Sequence, residues 1–313
     1  MRITRRGTQV ALGLFWLLDG VLQLQPYLLT RGFATGVIAP AGVGQPGPVH
    51  AAVRLSAAVI GSHPVAFDVV FALVQLLLGA GLLWPRTVRL ALTGSIGWAL
   101  GVWVFGEGLG GVLGGQANLL SGAPGAALLY VVLAAAAWPS PRRDRPSTDR
   151  PATWLPRAWA SLWVGAAVLQ LLPGELSGTG LRSTFSGSAS AVPGVVLAGA
   201  RTLTSVAGRH GLAMGLGLAG VELAVGAAAL GSGRSRAVSA VAGSVLALAA
   251  WVFAQGFGGL GSGQATDPDT GPLLVLLAVA MVSAGYRPTR AAVIVHAERR
   301  FRAAVGTRPQ QVA

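Results

Sequence analysis

The segment WVFGEGLGG occupies residues 103–111, and WVFAQGFGG occupies residues 251–259. In both, an apolar run ends on aromatic residues and passes into a glycine-rich stretch. The fifth position changes from Glu107 to Gln255. Matches spread outward from this phrase. Trp16, Gln23 and Pro26 correspond to Trp163, Gln170 and Pro173, and Arg54, Gly61, His63 and Gly79 to Arg201, Gly208, His210 and Gly226, all at an offset of 147. Trp103, Gly108, Gly110, Gln116 and Ala117 correspond to Trp251, Gly256, Gly258, Gln264 and Ala265 at an offset of 148. One residue of slip over that length identifies an internal duplication.

The duplicated unit is apolar. Of 313 residues, 53% are hydrophobic and 11% charged, which describes a polytopic membrane protein better than a water-soluble domain. Apolar runs fall at 9–28, 64–84, 87–106, 122–138, 157–173, 211–231, 236–255 and 271–286. The expected fold is an all-α transmembrane bundle of eight spans, four in each half. An even number of spans per half sets both halves the same way up, so the pseudo-twofold axis should follow the membrane normal. The expected organisation is a first repeat over 1–138, a Pro- and Arg-rich linker over 139–156, a second repeat over 157–286 and a basic tail over 287–313.

The net charge of +13 fits this map without nucleic acid. All 23 basic residues are arginine, and with a cytoplasmic N-terminus 18 fall in inner segments and five in outer ones. That is the positive-inside pattern. It places the chain in the plasma membrane, multi-pass, with both termini cytoplasmic and the bilayer as its first partner. The opening MRITRRGTQVALGLFWLL resembles a signal peptide, but no small-x-small cleavage site follows and the segment recurs within the chain. The absence of cysteine excludes disulfides and thiol chemistry from this chain.

The halves differ at their acids. Asp19 becomes Ala166, Asp68 becomes Gly215, Glu107 becomes Gln255, and Gln75 becomes Glu222. Carboxylates within a membrane are costly and usually face the bundle interior. Asp19, Gln23, Asp68, Gln75, Trp103, Glu107 and Glu222 are therefore candidates for a ligand or proton site, with Trp16, Asp19 and Gln23 on one helix face and Trp103 and Glu107 on another. Glu107 is expected to guard the outer mouth of a cavity beside Asp19. Arg54, His63, Arg201 and His210 lie in or after the long outer loops and suit contact with headgroups or anions. Neither histidine has a metal-ligand neighbour at binding spacing, so no metal site is expected. The glycine-rich stretches lack a phosphate-loop pattern and read as chain that folds back against helices. Asp267 and Asp269, in DPDTG, read as turn residues. No catalytic triad, nucleophile elbow or nucleotide motif is present, so no independent catalytic activity is expected.

The stretches LFWLLDGVLQLQPYLLTRGFATGVIAPAGVGQP (14–46), HPVAFDVVFALVQLLLGAGLL (63–83), WALGVWVFGEGLGG (98–111) and GAPGAALLY (122–130) resemble a group of actinobacterial membrane proteins. The four-span unit with a long first outer loop is similar to the DoxX/DoxD-like family. The resemblance implies a membrane redox accessory, a quinone or lipid-like ligand, and a membrane or extracytoplasmic redox partner. It assigns no catalytic residue. Two other functions fit the residues: a proton-coupled transporter or channel for a small solute, and a structural or assembly subunit.

Overall fold

In the computed structural model the described residues are 3–115, 117–139, 151–176, 178–187 and 192–284. Residues 140–150 of the linker and the basic tail lie outside them. The described chain is all α-helical, with no strand. Its helices are α1 (Arg5–Leu22), α2 (Gly47–Ser62), α3 (Pro64–Leu83), α4 (Val88–Phe105), α5 (Ala126–Ala136), α6 (Leu155–Gln170), α7 (Pro173–Leu176), α8 (Thr179–Gly187), α9 (Gly194–Leu230), α10 (Arg234–Phe253) and α11 (Thr270–Ala284). Short turns of tighter or wider helix cover Phe33–Ile38, Ala39–Gly42, Gly108–Gly111 and Gly256–Gly259.

Local chemistry sets the ends. The Thr4 hydroxyl accepts the Gly7 N–H at 2.9 Å and caps α1. Pro64 opens α3 with its φ already helical. At the other end of α3, the Arg6 guanidinium donates to the Leu82 and Leu83 carbonyls, at 2.8 and 2.5 Å. Arg236 does the same for α9, donating to the Ala229 and Gly231 carbonyls at 3.2 and 2.8 Å. Cations at helix C-termini oppose the negative end of the helix dipole.

Helices α3, α4, α9 and α10 are long and apolar enough to cross a membrane. Their outward faces carry exposed apolar side chains, among them Leu73, Leu77, Leu90, Val241 and Val245. Polar side chains instead turn inward: Gln9, Asp19, Gln23, Asp68, Gln75, Ser95, Gln170, Glu222 and Ser239 are all buried. Polar inside and apolar outside is the arrangement lipid favours.

A helix lies over each of the eight apolar runs, with shifted bounds. The first run, read as 9–28, is helical from Arg5 and stops at Leu22, where Gln23 turns the chain. The sixth, read from 211, begins at Gly194, because α9 continues an outer helix through a kink at His210 (φ −132°, ψ 31°). His63 has a comparable backbone (φ −141°, ψ 64°), but there it separates α2 from α3. Helices α5 and α11, of 11 and 15 residues, are shorter than the roughly 20 residues a bilayer requires. They pack on each other at the centre, with α4 and α1 flanking α5, and α10 and α6 flanking α11. Helices surrounded by protein can be apolar on every side and need no lipid-facing length. One core, including Leu12, Trp16, Tyr130, Trp159, Trp163 and Leu277, runs through both halves.

The two copies of the repeated phrase have the same backbone. Gly108, Leu109 and Gly110 have φ of 54°, 61° and 64°, and Gly256, Phe257 and Gly258 have 55°, 60° and 66°. The left-handed turn brings Gly110 against the Pro124 carbonyl and Gly258 against Pro268, where a side chain would collide. Trp103 Nε1 donates to the Pro124 carbonyl and Trp251 Nε1 to Pro268, each at 2.7 Å. The first bond spans 21 residues and the second 17, so the second glycine-rich segment is four residues shorter. Pro124 therefore matches Pro268, Gly125 matches Asp269, and Tyr130 matches Leu274.

The glycine-rich segments cross between halves. Gln25 Nε2 donates to the Ala265 carbonyl at 2.8 Å. Asn118 Nδ2 donates to Glu175 Oε2 at 2.7 Å, and Leu120 inserts among Leu181, Phe185, Ala207, Ala250 and Ala254.

Candidate functional site

The first half encloses a cavity of about 1130 Å³. Asp19 of α1, Gln23 just after it, Gln75 of α3, Trp98 of α4, Tyr130 of α5 and Glu107 supply the polar groups of its lining. Residues 264–267 and Asp269, from the glycine-rich segment of the second half, also line it. Phe33, Phe67, Phe71 and Ile60 make an apolar wall, with Phe71 5.3 Å from Trp98 and 6.4 Å from Phe33 between ring centres. The exposed part of the lining is mostly apolar, with Val43 73%, Leu55 64% and Phe105 50% accessible, and includes Ser121 and Gln264.

Asp19 is 1% exposed. Its Oδ2 accepts the Tyr130 hydroxyl at 2.5 Å, and its Oδ1 has no hydrogen-bond partner. Trp16 leans on Tyr130 with ring centres 4.3 Å apart and donates Nε1 to Ser95 Oγ at 2.8 Å. The second half has lost this arrangement as a set. Asp19 and Tyr130 are matched by Ala166 and Leu274, and Ser95 by Gly243. Trp163, the match of Trp16, is left with a buried, unpartnered Nε1. Trp159, one turn earlier, donates instead to Ser239 Oγ at 3.0 Å.

Glu107 and Gln255 differ for a local reason. Glu107 Oε1 accepts the Ala127 N–H at 3.0 Å, at the N-terminus of α5. An anion there satisfies a free N–H and meets the positive end of the helix dipole. At the N-terminus of α11 the anion is Asp269, whose Oδ1 accepts the Thr270 N–H at 2.6 Å. Gln255 needs no charge and donates Nε2 to Thr270 Oγ1 at 3.0 Å. Each half thus keeps a carboxylate at this helix start, supplied from a different position. Asp267 does hold a turn, accepting the Asp269 N–H at 2.7 Å, as the DPDTG pattern suggests. It also faces the cavity.

These acids crowd one another. Burial, then the Asp267 carboxyl, push Glu107 up to about 8, against the Ala127 N–H, with Asp269 adding repulsion. Burial and Asp267 raise Asp269 to about 7, against its hydrogen bonds to Thr270. Burial raises Asp267 against the Asp269 N–H and the Thr266 hydroxyl. Among the described residues no arginine or histidine lines the cavity.

Of the residues singled out in the sequence, Asp19, Gln23, Gln75 and Glu107 come together here. Gln23 does not pair with Asp19: its Nε2 donates to Asp68 Oδ1. Asp68 is buried behind Gln23 and does not line the cavity. Trp103 holds Pro124 and is likewise outside the lining. Glu222 is buried in the second half, with neither oxygen partnered and no part in the cavity. Arg54, His63, Arg201 and His210 are exposed. His63 caps α3 and has Nδ1 3.0 Å from Ser62 Oγ. Among the described residues no cluster of three or more His, Cys, Asp or Glu is arranged to hold a metal ion.

Sequence reasoning missed Tyr130, Trp98, Asp267 and Asp269. Tyr130 had a usable signal, a phenol inside the otherwise apolar AALLYVVLAAA. Trp98 had none that separates it from a lipid-facing ring.

The second half has a filled interior where the first has space. Cavity residues Ser56, Ile60, Phe67, Phe71, Val102 and Gly106 correspond to Leu203, Ala207, Met214, Leu218, Ala250 and Ala254. The latter six belong to one packed cluster, plugged by Leu120, Leu181 and Phe185.

Comparison with protein-family models, with curated proteins and with solved structures finds no match.

Proposed function

We propose that this chain is a plasma-membrane protein of eight spans, built as two four-helix repeats related by rotation about the membrane normal, with both termini cytoplasmic. Its first repeat holds a lipid-like ligand, and its second is a scaffold. One observation carries this reading: the first half has a cavity with a mostly apolar opening and buried polar groups in its lining, and the matching residues of the second half pack together in one apolar cluster. The matched backbone of the two phrases and the arginine distribution support the repeat and its orientation. Ligand pockets are concave, mostly apolar and carry a few convergent polar groups. An opening lined by Val43, Leu55 and Phe105 suits entry from lipid.

A narrower reading takes the ligand as a quinone and the protein as an accessory of a membrane redox complex, as the DoxX-like span pattern implies. Trp98 lines the cavity and has a buried indole N–H without a partner, which supplies a donor for a quinone carbonyl once the ring turns toward it. Native mass spectrometry of the purified full chain tests both. A retained lipid-like molecule that disappears in Gly101→Leu supports the cavity; a quinone spectrum in that molecule supports the narrower reading. Gly101 lines the cavity, and a β-carbon there meets nothing within 4 Å, so a larger side chain starts in open space. A wild-type protein that emerges empty, with Gly101→Leu indistinguishable, overturns the ligand site.

A further inference from the structure

The polar floor of the cavity has an uneven supply of hydrogen-bonding groups. Four residues of the lining each keep one buried side-chain oxygen without a partner: Asp19 Oδ1, Glu107 Oε2, Gln75 Oε1 and Gln45 Oε1. These oxygens are closed to water as the side chains stand, and they meet a ligand by turning toward the cavity. The one unpartnered buried nitrogen in the lining is Trp98 Nε1. Such oxygens, left unmatched in a low-dielectric site, cost more than exposed ones. They call for a ligand that brings donors.

Charge points the same way. Every titratable group facing this floor is an acid: Asp19 from α1, Tyr130 from α5, Glu107, and Asp267 and Asp269 from the other half. On α3, Asp68 lies behind Gln23. On α2, His50 is turned to the Gly42 carbonyl, with Nδ1 2.8 Å away, and is not in the lining. Neighbouring acids without a counter-ion hold protons that a cation would displace.

Resting on the reading of the cavity as a lipid-like ligand site, we infer that its ligand class is a cationic amphiphile: an ammonium head seated among the carboxyls of Asp19, Glu107 and Asp267, which turn toward it, with its hydrocarbon chain along Phe67, Phe71 and Ile60. Aromatic and aliphatic walls accept the chain, and the exposed apolar opening lets it trail into lipid. The second half takes part without a site of its own, since its Asp267 and Asp269 add negative charge to the first half's cavity.

Three probes with matched ten-carbon tails separate the possibilities: decylamine, decanol and decylubiquinone, titrated calorimetrically into the full chain in neutral detergent. Decylamine is expected to bind at least about tenfold tighter than decanol at pH 8.5, a margin of the size charge-assisted hydrogen bonds give. The margin should shrink at pH 6, where Glu107 and Asp269 hold their protons, and fall to about threefold or less in Glu107→Gln and in Asp19→Asn. Gly101→Leu should abolish binding of all three probes while leaving the melting temperature within a few degrees. Equal binding of amine and alcohol, or tighter binding of the quinone, overturns the cationic class and leaves the lipid-like site standing. Failure of all three probes to bind overturns both. If Asp19→Asn does not fold, Glu107→Gln still decides between the outcomes.

Discussion

At the scale of single residues, the acids of the first half behave as members of pairs. Asp19 is held by Tyr130, and the second half lacks both, with Ala166 and Leu274 in their places. A buried polar group stripped of its partner costs about 1–3 kcal/mol, whereas replacing both partners by apolar groups is close to neutral. Tyr130→Leu and Asp19→Ala should therefore each destabilise the chain, and the double variant should lie nearer wild type than the sum of the two. Chemical unfolding in detergent measures this. Additive losses would show that the bond contributes nothing and that the second half lost the pair by chance. Glu107 gives a pH dependence with a definite sign. Its folded-state value of about 8 lies above the ordinary carboxyl value of 4.5, so its contribution to stability is full below that ordinary value and is lost as pH rises toward 8. Asp269, at about 7, adds in the same direction. The melting temperature should fall between pH 5 and pH 8.5, and Glu107→Gln, which can still accept the Ala127 N–H, should flatten that slope. A variant as steep as wild type would place the effect elsewhere. The position of Glu107 was legible in the sequence because its repeat partner is Gln255. Its task at the start of α5 was not, since the N-terminus of α5 is reached only through the fold of the intervening segment. For the same reason Asp267 and Asp269 read as turn residues. Nothing in DPDTG reveals that the turn closes a cavity in the other half.

At the scale of elements, the repeated glycine-rich phrase is a structural clamp. Trp103 and Trp251 each reach across their turn to a proline carbonyl, and the left-handed residues between them let the chain double back. Two glycines of the first half should respond oppositely to alanine. At Gly110, with φ of 64° and the Pro124 carbonyl in the way, alanine should cost more than about 1 kcal/mol. At Gly101, inside α4 with open space beside it, alanine should be neutral or stabilise by up to about 1 kcal/mol through helix propensity. Similar thermal shifts for the two would mean that the turn carries no such constraint. Trp103→Phe should remove about 1 kcal/mol with its hydrogen bond and speed amide exchange over 108–125. Unchanged exchange there would refute the clamp. The apolar runs marked where helices lie, because hydropathy is a local property. Their ends were less legible. The start of α1 depends on the Thr4 cap, its stop on the turn at Gln23, and the length of α9 on an outer helix that carries straight through a kink. The short α5 and α11 coincide with apolar runs, but nothing local in them shows that they pack on each other, surrounded by α1, α4, α6 and α10.

At the scale of the whole molecule, duplication and divergence explain what neither half explains alone. The glycine-rich segment of each half is used by the other. The segment after α4 sends Asn118 to Glu175 and Leu120 into the second half's packed cluster, and the segment after α10 brings residues 264–267 and Asp269 to the first half's cavity. Such an exchange is what a two-fold assembly of identical four-helix units would leave after fusion. On the function proposed above, it also accounts for the second half carrying Ala166 and Gly215 where the first has Asp19 and Asp68, with its own Asp267 and Asp269 turned to the first half's cavity: the second half braces and closes the first. The topology behind this argument is testable with a reporter fused after Ala313, expected to read cytoplasmic; an external reading would refute the arginine-based orientation. The exchange itself makes a stronger demand. If the chain is cut in the linker and residues 1–138 and 157–313 are expressed separately, the first piece should be unstable or unable to hold the ligand, because Gln25 loses Ala265 and the cavity loses Asp267 and Asp269. Co-expression should restore an associated, ligand-competent protein, since the contacts between halves are numerous, buried and independent of the linker. A first piece that folds and binds as well alone as with its partner would show that the cavity is complete within one repeat, and the account of the second half as a brace would fail.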